Sequence, residues 1–249
     1  MIFVKNTAHY AGVEICGDRL DFDNLYESLH ALVGGEGEFG GFEAAGTRVL
    51  GVCYDLRHAL MGDRDVEFVD NGLDAEMKRR MAMLAPDKNV YFRIQVLWPE
   101  MLFVMMALND FVRLSARKKA KKSYDMILDK HVVWDGHIAA TRFFQAAVIK
   151  CLKDTVSAPS FSRMMNVMNK DYPWMDDYTR QYVDVLNCKF IEMDSEKRLK
   201  NIPAMAKRLA DQGEDYWRLR EGIQVAARKY NTDEDNINPP IDYPDDFEW

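Results

Sequence analysis

The chain has 249 residues, 48% hydrophobic and 29% charged, with a formal net charge of -7. These are the proportions of an ordinary globular protein, long enough to bury a core without disulfides or metals. Seven carboxylates in residues 231–249, with no Lys or Arg, account for the whole net charge, so the first 230 residues are balanced, which disfavours both a globally basic nucleic-acid binder and an acidic nucleic-acid mimic.

In chain order, Ile2–Lys5 and Val13–Cys16 read as two short strands of a hairpin, with Asn6, His9 and Gly12 in the connection. Asp21–Val33 reads as a helix, started by Asp21 or Asp23, striped by Phe22, Leu25, Tyr26 and Leu29, and stopped by Gly34-Gly35. A second helix is expected over 43–60, ended by Gly62. Asp65–Asp70 is a strand candidate with Val66 and Phe68 on one face, and Asn71-Gly72 marks a turn. A short, basic, amphipathic helix is expected over Leu73–Leu84, before Pro86.

Residues 89–114 form the centre. Val90, Phe92, Ile94, Val96 and Trp98 alternate with Tyr91, Arg93, Gln95 and Leu97, the period of a strand with one buried face. Pro99 then suits a first helical position and Glu100 the positive end of a helix dipole. Met101–Leu108 is apolar nearly all round, the mark of a buried central helix. Beyond Leu114 only helices are expected: 138–156, a segment capped by Ser157 or Ser160, Met175–Met193, Glu196–Ala210 distorted or delimited at Pro203, and Glu214–Tyr230. The predicted class is therefore α+β. A small, mostly antiparallel N-terminal sheet with helices (1–114) and a helical part (115–230) share one domain, followed by an acidic, flexible tail (231–249).

The four cysteines form no CxxC pair, so reduced thiols in a cytoplasmic protein are the simplest reading. The first ten residues lack the basic-then-apolar layout of a signal peptide. No metal or cofactor is expected. Gly35–Gly40 matches GxGxxG, but a helix precedes it and Glu36 and Glu38 would repel phosphates, so a flexible interhelical loop is expected instead. Arg113, Arg117, Lys118, Lys119, Lys121 and Lys122 form the densest basic cluster, readable as an anion or nucleic-acid site or as cations complementing a helix C-terminus. Tyr243, Phe247 and Trp249 stand between carboxylates in the tail. This is either a docking peptide, in cis or in trans, or a solvated tail; three rings are many for a disordered segment. His131 and Asp135 would share a face only in a regular helix, which Gly136 opposes. Neither an acid-x-lysine nuclease strand, nor an RxxxxH helix, nor GxSxG is present.

The stretches KNTAHYAGVEICGD, RVLGVCYDLRHALMGDRDVEFVDNG and VLWPEMLFVMMALNDFVRL resemble an uncharacterised family of bacterial and phage-associated proteins of unknown function, mainly over residues 1–115. The resemblance implies a bacterial or mobile-element origin and carries no activity, ligand or catalytic residue. The first functional reading is a non-catalytic cytosolic interaction or regulatory protein with an unidentified protein partner. The second is an enzyme without a linear motif, its site on the sheet face at Glu14, Glu67, Arg93 and Gln95 with Asp55 or His58. The third is nucleic-acid binding through residues 113–122.

Overall fold

The computed structural model describes residues 1–121, 126, 128–169, 178–241, 243–244 and 247–249. The first half runs β1 (Phe3–Asn6), β2 (Gly12–Gly17), α1 (Arg19–Val33), α2 (Glu43–Met61), β3 (Val66–Asp70), α3 (Ala75–Arg80), β4 (Lys88–Leu97) and α4 (Trp98–Lys119). The second half is helical among the described residues: α5 (Lys130–Val133), α6 (Gly136–Thr155), α7 (Ala158–Met168), α8 (Tyr178–Ile191), α9 (Ser195–Asp211) and α10 (Glu214–Tyr230). The strands form one antiparallel sheet in the order β1-β2-β4-β3. This is the expected α+β class.

Alternation along the strands separates two faces. Val13, Ile15, Ile94 and Val96 are buried on one of them. α4 starts with Pro99 in its first turn, and every residue from Met101 to Leu108 is buried. One cluster of buried apolar side chains runs from Ile2 to Ile223 and joins sheet and helices. Close approach of β2 and β4 requires Gly12, where a Cβ would lie 2.0 Å from the Val96 carbonyl oxygen. Gly12→Ala must push two backbones apart, so it is expected to cost about 3 kcal/mol, or roughly 6–12 °C in Tm for a chain of this size, measured by circular dichroism.

Several expectations change. Asp18, not Asp21 or Asp23, caps α1; Asp21 instead closes a reciprocal capping box with it. The Leu73–Leu84 helix shrinks to α3 and buries nothing, while Met81 and Leu84 are 53% and 105% exposed. With no surface to pack against, a short helix does not extend. Val66 and Phe68 share a face but stay 44% and 63% exposed, on an edge strand that pairs only with the first half of β4. Asp135 caps α6, so Gly136 opens a helix. Ser157 occupies the N-cap position of α7. α9 runs through Pro203, its apolar face of Ile202, Met205, Ala206 and Leu209 buried on both sides of the proline. The start expected at Met175 for the helix that becomes α8 lies outside the described residues.

The expected flexible loop at 34–41 is pinned. Glu38 accepts from Lys118 at 2.7 Å and from the Gly35 amide at 3.1 Å, and Phe39 packs on Phe111 at 6.2 Å between ring centroids. Among the described residues, no helix is long and apolar enough to cross a membrane.

Candidate functional site

The polar residues of the strands gather on the second sheet face. Register places Lys5 beside Glu14, Glu14 beside Gln95, and Cys16 beside Arg93, and directly opposed residues share a face. Lys5 Nζ donates to Glu67 at 2.7 and 2.8 Å and lies 3.4 Å from Glu14. Arg93 donates to Asp65 at 2.9 Å and lies 3.5 Å from Glu14, to which Gln95 also donates at 3.1 Å. Four residues read as one site in the sequence, Glu14, Glu67, Arg93 and Gln95, are thus brought together, with Lys5 and Cys16 added. The hydrogen bond from Lys5 holds the Glu67 carboxyl below its ordinary range. Burial, reinforced by Glu67, pushes the Cys16 thiol up to about 12, so it stays protonated and is no nucleophile. Donor atoms of Glu14, Cys16 and Glu67 lie within 4.8 Å of one another. The Lys5 ammonium already supplies the cation there, so this set would hold a metal only with Lys5 turned away.

Gln95 leads from this face to a cleft of about 430 Å³, lined by Arg48, Asp55, Gln95, Glu100, Asn187 and Trp249. Helix geometry positions the groups: Glu100 sits in the first turn of α4, Arg48 on α2 and Asn187 on α8. Arg48 bridges Glu100 at 3.1 Å and Asp184 at 2.6 Å and donates to the Arg180 carbonyl at 2.6 Å. Asn187 donates to Glu100 at 2.9 Å. Burial raises the Glu100 carboxyl above its ordinary range against the opposing pull of Arg48. Asp55 pairs with Arg64 at 2.7 Å, and His58 turns away to Asp63 at 3.2 Å, so Asp55 joins the cleft and His58 does not.

Described residues of the tail, expected to be flexible, are hydrogen-bonded to the rest of the chain. Arg180 donates to the Asp235 carbonyl at 3.2 Å and Gln181 to that of Ile237 at 3.5 Å. The Tyr243 hydroxyl reaches Asp184 Oδ1 at 3.3 Å. Arg198, 4% exposed, donates to the Glu248 carbonyl at 2.6 Å, and the His9 amide donates to the Trp249 carbonyl at 2.8 Å. Phe247 packs on Trp249 with centroids 4.8 Å apart.

Three cations of the basic cluster are already paired. Arg113 pairs with Asp110 at 2.6 Å, Lys118 with Glu38 at 2.7 Å and Lys119 with Asp135 at 2.5 Å. Arg117 and Lys121 are exposed, and Lys122 lies outside the described residues. His131 pairs with Asp129 at 2.9 Å instead of sharing a site with Asp135. Sequence reasoning missed the Arg48–Glu100–Asp184–Asn187 network; the available signal was two charged residues, Arg48 and Glu100, set within strongly apolar helical runs.

A family model described as "Domain of unknown function (DUF6904)" matches residues 2–249, beyond the first half to which the resemblance pointed. No curated protein and no solved structure matches the chain.

Proposed function

The chain belongs to the DUF6904 family along residues 2–249, and on that premise we propose that it is a non-catalytic, cytoplasmic interaction protein whose C-terminal segment is a docking peptide seated in its own groove. The observation that carries this reading is that the body bonds the tail through its main chain. Arg180, Gln181, Arg198 and the His9 amide all donate to tail carbonyls. Main-chain bonds give affinity for an extended segment of varied sequence, and side-chain pockets give specificity. Here Tyr243 on Asp184 and Trp249 in the cleft supply the second element. A partner carrying a similar aromatic, extended segment would compete with the tail for this groove.

The test uses a chain shortened after Pro240, checked for folding by circular dichroism, and a fluorescein-labelled peptide of residues 241–249. Anisotropy is expected to report binding to the shortened chain and at least tenfold weaker binding to the intact one. Trp249→Ala in the peptide should weaken binding by about 1 kcal/mol, since Trp249 is only half-buried and contributes part of the worth of a fully buried large apolar side chain. Equal binding to both chains, or none to the folded shortened chain, removes the proposal.

A second reading, an enzyme on the sheet face, is favoured by one observation: Glu14, Glu67, Arg93 and Gln95 converge there around Lys5. The protonated Cys16 thiol supplies no nucleophile for it.

A further inference from the structure

A cavity of about 480 Å³ lies between α4, α5 and α6, a size that suits a small molecule. Val112 and Ala116 of α4, Val132 of α5 and Ile138 of α6 are buried and form apolar walls, and Ala139 lines it from an exposed position. Three charged residues share the lining: Arg113, Asp135 and Arg142. Two of them are matched. Arg113 pairs with Asp110 at 2.6 Å, and Asp135 pairs with Lys119 at 2.5 Å while capping α6 through the Ile138 amide. Arg142 differs. Among the described residues its guanidinium meets only neutral acceptors: Nη1 donates to Asn109 Oδ1 at 2.5 Å and to Gln145 Oε1 at 2.8 Å. Gln145 is itself fixed, donating to the Met105 carbonyl at 3.0 Å. Nε and Nη2 of Arg142 donate to no described residue. Burial of the guanidinium lowers its pKa, and no carboxylate opposes that effect. A cation partly withdrawn from water and left without a counter-charge is a costly arrangement that an anion relieves.

We infer that this cavity binds a small organic monocarboxylate, its carboxylate on the Nε–Nη2 edge of Arg142 and its apolar body between α4, α5 and α6. That edge of a guanidinium matches a carboxylate through two parallel hydrogen bonds. The two acceptors on Nη1 hold the fork in place, so less side-chain freedom is lost when the ligand arrives. One unmatched cation beside apolar walls selects a molecule charged at one end only. Among the described residues, none of the lining belongs to the tail, so this inference and the docking reading stand or fall separately.

The test is calorimetric titration of the intact chain with octanoate, with octanol, which has the same apolar body without the charge, and with acetate, which has the charge without the body. Octanoate is expected to saturate one site. Octanol should bind roughly tenfold more weakly, for want of a charge-assisted pair, and acetate roughly a hundredfold more weakly, for want of apolar contact. Two variants, each checked for folding by circular dichroism, locate the site. Arg142→Met should bring octanoate down to the affinity of octanol, and Ala139→Phe should block the cavity and weaken both. Octanol or acetate binding as tightly as octanoate, octanoate failing to saturate a single site, or unchanged octanoate affinity in either folded variant each overturns the inference. The comparison of the three compounds needs no variant, so the test does not depend on one folding.

Discussion

Arg48→Ala is expected to destabilise the protein by about 4 kcal/mol at neutral pH, because removing one partner from a buried ion pair leaves the others uncompensated. For a chain of this size that is roughly 8–16 °C in Tm. The Arg48 side chain is 15% exposed, and it faces Glu100 at 16% and Asp184 at 32%. Without it, two carboxylates from α4 and α8 face each other with only the amide of Asn187 between α8 and Glu100. The loss should depend on pH with a definite sign. Glu100 has a folded pKa raised by burial, so the folded state holds its proton more tightly than the unfolded state does. Stability linked to this group is fully present below the unfolded pKa and falls as pH rises through the folded value. Removing Arg48 takes away the main influence pulling that pKa down, so the deficit of the variant is expected to shrink towards acidic pH. Arg48→Lys should recover only part of the loss, since an ammonium cannot fork between two carboxylates as a guanidinium does. Thermal unfolding of the three chains at neutral and mildly acidic pH decides the matter: a deficit independent of pH would mean that packing, not charge, is what Arg48 contributes.

Trp98→Ala is expected to cost about 4–5 kcal/mol, at the upper end for deleting a large buried aromatic. Trp98 is 0% exposed and stands at the junction of β4 and α4. Its amide donates to the Ala11 carbonyl at 3.1 Å, and its indole Nε1 donates to Asn6 Oδ1 at 3.1 Å. Asn6 in turn donates to Thr155 at 2.7 Å on α6. The substitution therefore opens a cavity and also leaves a polar atom of Asn6 without its donor, which costs more than the lost bond alone. Trp98→Phe separates the two effects. It keeps most of the apolar volume and removes the donor, and is expected to cost about 1–3 kcal/mol. Chemical denaturation of both variants measures the difference; equal losses would show that the N–H, not the volume of the ring, is what the junction requires.

The strand from Lys88 to Leu97 and the helix after it were legible because each rests on a local period: alternation over Val90–Trp98, then an apolar run behind Pro99. The same holds for α1, α2, α6 and α10, whose ends follow from Gly34 and Gly62 and from stripes of apolar residues. Where the period misled, the fault was in burial. Met77, Met81 and Leu84 fit an amphipathic helix, yet α3 stays short because nothing in the fold covers that face. Val66 and Phe68 alternate as core residues do, but the helices do not reach the edge strand that carries them.

The site divides along the same line. Glu14, Glu67, Arg93 and Gln95 could be assigned to one sheet face, since side chains alternate along strands and all four fall on strands. Glu100 was read as an acid at a helix N-terminus, which it is, and its second role with Arg48 was invisible. The tail showed aromatic anchors among carboxylates, fit for a basic, partly apolar groove; that its described residues meet Arg180, Asp184, Arg198 and His9 was not legible. Local spacing therefore established strands, helices and the polar side of the sheet, because those depend on neighbours within a few positions. The Arg48–Glu100 pair spans 52 positions, Asn187–Glu100 spans 87, and the Arg198 contact to the His9 carbonyl spans 189. These arise from how α2, α4, α8 and α9 cross over one shared core, a property of packing that no local pattern of residues encodes.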